Sequence, residues 1–290
     1  MKLITFVRSD APALPRLGAL RGQNALDLNG LDARIPSDMM ALLNGGEAAL
    51  ALARAAVAQA PASAEIPAGR FTLLAPIPRP GKILCIGLNY RDHARESGQA
   101  VPDFPTVFAK YANTVIGPGA AVQIPRLTSN VDYEAEFGFV IGKRARHVAE
   151  ADALSYVAGY FPLNDISARD YQARTSQWTL GKTFDTFLPM GPALTTADEV
   201  PDPHNLDIRL TIGGETLQHS NTRELVFGVN ALIHVLSGVM TLEPGDVIST
   251  GTPSGVGAAR NPKRWLRAGE TVTVEIAGLG ALSNPIIAEP

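Results

Sequence analysis

The sequence is short of several things, and each shortage removes a class of protein. There is one cysteine in 290 residues, which excludes an intramolecular disulfide framework and a cysteine-based zinc site. That residue, Cys85, lies in the apolar run KILCIGL and reads as a small buried core residue more readily than as a nucleophile. Charged residues are sparse at 18 %, the formal net charge is −3 and the pI is near 6.0. No basic patch announces nucleic acid, and no block of like charge announces a tail. No apolar run is long and clean enough for a bilayer: LVFGVNALIHVLSGVMTL (225 to 242) is interrupted by Asn230, His234 and Ser237 and suits a buried helix. The N-terminal MKLITFVRSDAPALP has no long apolar segment of a signal peptide. The expectation is a cytoplasmic globular protein that engages neither nucleic acid nor membrane.

Familiar catalytic motifs are missing too. GTPSGVG lacks the lysine of a phosphate-binding loop. The same stretch carries Thr252 where a nucleophile elbow needs its first glycine. GLGALS near the C-terminus follows no strand-to-helix pattern, so it is not a dinucleotide fingerprint. No H-E-x-x-H occurs.

What is present is a large apolar fraction, 46 %, organised as many short strands and few helices. LITFV and ALDLN read as strands, and GGEAALALARAAVAQA (45 to 60) as an alanine-rich helix. A proline-rich seam, APASAEIPAGRFTLLAPIPRPGK, follows. We place a boundary there, giving a small N-terminal α/β domain over 1–75 and a larger domain over 76–290. Beyond it KILCIGLNY reads as a buried strand, then a short helix RDHARESG closed by Gly98, and later a helix from about 149 to 158. LDIRLTIGGETLQHS is a hairpin turning at Gly213-Gly214. GDVISTGTPSGVG and ETVTVEIAGLGALSNPI finish the chain as strands and glycine turns. With no βαβ rhythm and no internal repeat, the fold class is β-rich α+β.

The chemistry concentrates in VDYEAEFGFVIG (131 to 142). Phe137, Phe139 and Ile141 alternate as in a half-buried strand, and Glu134 and Glu136, two residues apart, point to one face. Buried together they repel unless a cation compensates, and oxygen ligands suit magnesium, calcium or manganese. A third acid is expected. Asp165, at the end of the strand-like run YVAGYFPL, is the candidate and Asp170 the competitor. The plain alternative places both glutamates on a solvated edge strand and Asp165 at a helix N-cap. His93 and Glu96 are neighbours at i and i+3 on a short helix; a carboxylate beside an imidazole makes a competent general base, though a surface ion pair has the same pattern. Lys182 in LGKTFD and Lys110 in VFAKYAN sit in apolar surroundings where a lysine either snorkels or meets an anion.

Taken together, LNYRDHARE, VFAKYANTVIGPG, VDYEAEFGFVIGK, LNDISARDYQ, LGKTFDTFLPMGP and ISTGTPSGVG, in uninterrupted order from Lys82 to Ile286, resemble the fumarylacetoacetate hydrolase family, its bacterial acylpyruvase-like members in particular. The resemblance implies a β-roll catalytic domain, a homodimer, and Mg²⁺ or Mn²⁺ held by Glu134, Glu136 and Asp165. It implies His93 and Glu96 as a lid dyad, Lys182 as the active-site lysine, and Lys110, Arg169, Gln172 and Thr252 near a small 2-oxo acid substrate. The implied reaction is hydrolysis of the C3–C4 bond of a 2,4-dioxo acid, an acylpyruvate such as fumarylpyruvate or a sugar-derived diketo acid, to pyruvate and a carboxylic acid, as in aromatic catabolism. Decarboxylation of oxaloacetate or isomerisation of a 2-hydroxy-dienoate would use the same enolate. An inactive, metal-stabilised binding protein is the alternative from another class. The larger family members carry an extra metal-binding aspartate where LNY stands here, so fumarylacetoacetate itself is not the expected substrate. NPKRWLRAGE (261 to 270) is longer than in the smallest members and shapes either the pocket or the subunit contact.

Overall fold

Alternation in VDYEAEFGFVIG produces a strand, but one buried on both faces and not one. In the computed structural model, which describes residues 1–290, Ala135–Ile141 is buried along its whole length. Phe137, Phe139 and Ile141 enter one core and Val140 another. The reason is position. The strand lies in the middle of a ten-stranded sheet, antiparallel to both Val157–Asn164 and Val247–Ser249, and each face carries a layer.

The sheet runs in the order Asn24–Asp27, Ala11–Arg21, Lys2–Arg8, Leu194–Thr196, Val157–Asn164, Ala135–Ile141, Val247–Ser249, Ile83–Gly87, Thr106–Lys110, with Phe71–Leu73 pairing Lys2–Arg8 off this path. The leading segment is thus continuous with the rest through antiparallel pairing of Lys2 and Leu3 with Thr195 and Leu194. On one face the alanine-rich helix Gly46–Gln59 and the short helix Met39–Asn44 cover Leu163, Phe161 and Val140. On the other lies a five-stranded sheet of Glu215–Asn221, Asp207–Ile212, Thr271–Ile276, Gly280–Ala288 and Val122–Ile124. Its inward Ile208, Leu210, Val272 and Val274 meet Phe137, Phe139 and Tyr160. This is the strand-rich α+β arrangement expected.

The hairpin turns at Gly213 and Gly214, both with positive φ (58° and 84°), the conformation that a two-residue type I′ turn requires and glycine supplies without strain. Helix Val229–Val239 is buried, and its polar interruptions are its ties. Ser237 Oγ accepts the Val148 N–H at 3.0 Å, His234 Nδ1 meets Val148 O at 2.8 Å, and Asn230 reaches Glu150 at 3.0 Å. No helix is long and apolar enough to cross a membrane. The segment expected as a helix from 149 to 158 is a 3₁₀ helix over Glu150–Tyr156. Cys85 is a fully buried core residue, and burial pushes its thiol well up.

Strands Val157–Asn164 and Leu194–Thr196 leave no room at Gly159. A Cβ there would lie 2.3 Å from the Thr195 carbonyl oxygen, backbone that cannot rotate away. Gly159→Ala is expected to cost about 1–3 kcal/mol of unfolding free energy in urea denaturation; a variant within about 0.5 kcal/mol of wild type would contradict the close sheet packing described.

Candidate functional site

The long run at 131 to 142 is interrupted where its chemistry begins. Val131–Asp132 pairs with Ser167–Ala168, the chain leaves the sheet at Tyr133 and Glu134, and the ladder resumes at Ala135. Asn164 and Asp165 bridge the gap: Asn164 Oδ1 accepts the Glu134 N–H at 3.0 Å, and the Asp165 N–H donates to Glu134 O at 2.9 Å. Glu134, Glu136 and Asp165 are all buried, and one oxygen from each lies within 4.8 Å of the others. The solvated edge strand and the helix N-cap are therefore both excluded. Asp170 is elsewhere, accepting from Thr128 Oγ1 at 2.6 Å.

Three cations stand against these acids. Lys182 Nζ donates to Glu134 Oε2 at 2.7 Å and to Asp165 Oδ2 at 2.8 Å. Lys110 Nζ donates to Asp165 Oδ1 at 2.6 Å and to Ile166 O at 3.0 Å. Arg169 Nη2 meets Glu134 Oε1 at 2.7 Å, while its Nε donates to Asp132 Oδ2 at 2.8 Å. Burial alone would raise the Glu134 carboxyl, but Lys182 and Arg169 outweigh it and hold it down to about 2. Burial would lower the Lys182 ammonium, but Asp165 and Glu134 raise it above the usual lysine range.

Glu136 is the exception. Its partners are neutral, the Ser249 hydroxyl and the Gly251 N–H at 3.0 Å. Burial, then the charges of Asp165 and Glu134, push its carboxyl well above the usual range. Four carboxylates, counting Asp132, are faced by three cations, and the uncompensated charge falls on Glu136. A divalent cation among the three carboxylates removes that deficit. The all-oxygen donor set is that of magnesium, manganese or calcium, so the residues fit a divalent metal site.

Glu134 and Glu136 open into a cavity of about 390 Å³, with Asp165 beneath them. Across it lies helix Arg91–Glu96, where His93 Nδ1 meets Glu96 Oε2 at 3.1 Å. An ionised carboxylate only accepts, so Nδ1 carries the hydrogen and Nε2 is left as the basic nitrogen. Glu96 Oε1 also accepts the Gly255 N–H at 2.8 Å, which ties the helix to the TGTPSGVG loop. That loop turns at Gly251 and Gly255 with φ of 96° and 102°; a Cβ on Gly255 would lie 2.2 Å from Leu217 O.

Arg169, Gln172, Lys182 and Thr252 line the same cavity. Lys110 does not: it is buried behind Asp165 and steadies that carboxylate. Residues 261 to 270 do not reach the cavity wall. They brace it from behind, with the Leu266 N–H on Val131 O at 2.8 Å and the Arg264 N–H on Gly257 O at 3.0 Å. Asn89, in the LNY stretch, is a buried brace, donating to Phe227 O at 3.0 Å and Thr250 O at 2.8 Å.

Three residues of the site carried no usable signal in the sequence. Asp132 binds the Gly257 N–H at 2.7 Å and the Ala258 N–H at 3.0 Å besides Arg169, so one carboxylate sets both the guanidinium and the loop. Gln218 donates to Thr252 Oγ1 at 2.8 Å and accepts from the Ala135 N–H at 2.8 Å. Ser249 holds Glu136. Their partners are distant in sequence, and no spacing rule links them.

A buried carboxylate cluster opening to a cavity beneath a histidine–glutamate pair defines a class of site, that of an enzyme built around a divalent cation. Comparison with known proteins agrees with the geometry. The Fumarylacetoacetate (FAA) hydrolase C-terminal family model matches residues 82–287, and the chain belongs to the fumarylacetoacetate hydrolase family. It is 46 % identical over 291 residues, 99 % of this chain and 90 % of the relative, to a protein of Xenopus laevis named as a mitochondrial oxaloacetate tautomerase. Among solved structures it is similar to a maleylpyruvate hydrolase from Sphingobium sp. SYK-6 in complex with manganese(II) and pyruvate (31 % identity, TM-score 0.83, both chains covered fully). It is also similar to a 2-hydroxyhepta-2,4-diene-1,7-dioate isomerase from Mycobacterium marinum (30 %, TM-score 0.78, 100 % and 99 % covered).

The charge deficit makes a prediction about stability. Folding raises the Glu136 carboxyl above its unfolded value, so its stabilising acid form is fully effective below the unfolded value, and the contribution is lost as pH rises through the folded one. In metal-free protein, Glu136→Gln is therefore expected to raise Tm by roughly 2–6 °C at pH 8, with the gap closing as pH falls into the ordinary carboxylate range. A Glu136→Gln protein less stable than wild type at pH 8 in EDTA would show that the charge on Glu136 is already compensated.

Proposed function

We propose that the chain is a divalent-metal-dependent enzyme acting through the enolate of a small 2-oxo acid, and that its reaction is keto–enol tautomerisation of oxaloacetate. The observation that carries this reading is the placement of the Glu134, Glu136 and Asp165 carboxylates at the floor of a cavity walled opposite by His93 held on Glu96. The oxaloacetate tautomerase relative supports the choice of substrate. Mg²⁺ or Mn²⁺ on the three carboxylates would supply Lewis-acid stabilisation of negative charge on the 2-oxo oxygen.

The chain's own groups do the rest. Converting enol to keto form takes the proton from the 2-hydroxyl and adds one at C3, with no other bond broken. In that direction His93 Nε2 takes the 2-hydroxyl proton, becomes an imidazolium stabilised by the Glu96 carboxylate, and delivers a proton to C3; the reverse direction runs the same transfers backwards. Lys182 places a cation beside the triad, where charge develops. Arg169, with two N–H groups beyond those bonded to Asp132, Glu134 and Gln172, binds the substrate carboxylate together with Gln172; the Thr252 hydroxyl, which donates to Ala135 O at 2.9 Å and accepts from Gln218, shapes the wall beside them. Lys110 fixes Asp165 from behind. Every residue so assigned falls within 76–290; residues 1–75, which join the same sheet through Lys2 and Leu3, supply none of them.

A second reading is hydrolysis of the C3–C4 bond of an acylpyruvate, favoured by the His93–Glu96 bond, which equally makes His93 a base for water. Water adds to the C4 carbonyl, C3–C4 breaks, and pyruvate enolate leaves and is protonated at C3. Decarboxylation of oxaloacetate passes through the same enolate without attacking water. The maleylpyruvate hydrolase and the dienoate isomerase among the structural relatives support a shared enolate site.

The reading includes a homodimer and a cytoplasmic location, the latter to be checked by fractionation because the Xenopus laevis relative is named as mitochondrial. For the dimer, Phe104, Val107, Tyr111 and Leu180 stand exposed at or beside the open edge strand Thr106–Lys110, apolar surface that a second copy would cover. Light scattering at micromolar concentration should give twice the chain mass; a monomer contradicts this.

With Mg²⁺, the protein should accelerate loss of oxaloacetate enol absorbance. EDTA should abolish the effect, and His93→Ala should reduce it by roughly 10²–10⁴-fold. Undiminished turnover in metal-stripped protein, or in His93→Ala, contradicts the assignment. Pyruvate release from acetylpyruvate faster than oxaloacetate tautomerisation would replace the first reading by the second.

A further inference from the structure

We propose that Trp178 is a specificity-determining residue that extends the substrate class to 2-oxo acids bearing an uncharged apolar group, aryl-substituted pyruvates in particular. The inference rests on the functional reading above and concerns the part of the cavity which that reading leaves unused. At about 390 Å³, the cavity falls in the range that accepts ligands well beyond a four-carbon acid.

One wall of it is aromatic. Phe108 and Trp178 both line the cavity and pack edge to face, 5.4 Å between centroids at 71°. Lys182 Nζ lies 5.0 Å from the Phe108 ring centroid, so the wall starts at the cation that bonds two carboxylates of the triad and extends to Trp178. The neighbouring chain makes room for the indole. A Cβ on Gly87 would lie 2.4 Å from Trp178 Cζ3 and 2.7 Å from Cη2; the ring fills the space that any other side chain at 87 would occupy.

Charge points the same way. The cations lining the cavity are engaged at the triad: Lys182 on Glu134 and Asp165, Arg169 on Asp132 and Glu134. They serve the carboxylates of a short acid held at the triad, the C4 carboxylate of oxaloacetate included. His93 is paired with Glu96, and the remaining polar lining groups, Ser97 and Gln99 among them, are neutral. A second carboxylate lying against the aromatic wall would lose hydration and find no cation of its own, whereas a phenyl ring there would bury apolar area against two aromatic side chains. Tautomerisation of such a substrate needs no co-reactant: in phenylpyruvate enol the O–H bond breaks, a C3–H bond forms, and the proton count is unchanged.

The test compares loss of enol absorbance for phenylpyruvate and oxaloacetate in Mg²⁺-loaded wild type, Trp178→Ala, Trp178→Phe and Gly87→Ala. Wild type should act on both compounds. Trp178→Ala should raise KM for phenylpyruvate about tenfold, with kcat and both oxaloacetate constants within about twofold. Trp178→Phe should keep most of the phenylpyruvate affinity, and Gly87→Ala, which displaces the ring without removing it, should follow Trp178→Ala. The Tm increase that phenylpyruvate gives wild type should shrink in Trp178→Ala, a readout independent of turnover. Wild-type activity on oxaloacetate without activity on phenylpyruvate overturns this inference and leaves the functional reading standing. An unchanged phenylpyruvate KM in Trp178→Ala, or faster turnover of it (the mark of a size gate), also overturns the inference. Inactivity of wild type on both compounds overturns the functional reading and this inference with it.

Discussion

The arrangement depends on one electrostatic constraint: four carboxylates in a sheet interior faced by three cations. Ionised groups removed from water are tolerated only when paired and hydrogen-bonded. Glu134, Asp165 and Asp132 meet that condition through Lys182, Lys110 and Arg169. Glu136 does not, because its donors are a hydroxyl and a backbone N–H. A deficit of this kind is a preformed demand for a cation. It explains why the chain around the acids is fixed by polar bonds as well as by the apolar packing of Val131, Tyr133, Ala135 and Ile166.

The fold meets the demand by breaking its own regularity. A continuous strand would place Glu134 and Glu136 on one face with no partner from a neighbour. The interruption at Tyr133 and Glu134, bridged by Asn164 and Asp165, brings the third acid from the adjacent strand to the same point. The loop beyond Ser249 then closes from the other side, its two positive-φ glycines letting backbone N–H groups reach Glu136 and Glu96. Glu136 sits on a strand, Glu134 and Asp165 at the breaks beside it, and a short helix carries the His93–Glu96 pair on the cavity wall.

Much of this was legible in the sequence, and the limits have physical causes. The hairpin at Gly213-Gly214, the alanine-rich helix and the buried helix around 229–239 follow from turn chemistry and period. The two glutamates stood out because acids two apart in an apolar strand violate the pattern. Asp165 was found because it ends a strand. What period could not reveal is that Ala135–Ile141 is covered on both faces, since a second layer is a tertiary fact. Nor could it reveal that Lys110 stands behind Asp165 instead of in the cavity, or that Asp132 and Gln218 organise the loop from 125 and 34 residues away in the chain. The 3₁₀ helix at Glu150–Tyr156, which packs on helix Val229–Val239, marks the same limit, because residue pattern alone does not separate its turn type from an α-helix.

The central claim is that Glu134, Glu136 and Asp165 form a divalent metal site. The most direct measurement is anomalous scattering near the manganese absorption edge from crystals equilibrated with Mn²⁺. The account predicts one strong peak per chain, bonded to one oxygen from each of the three carboxylates and facing the cavity beneath His93. No peak at that point, with Lys182 still bridging Glu134 and Asp165 at saturating Mn²⁺, would contradict it.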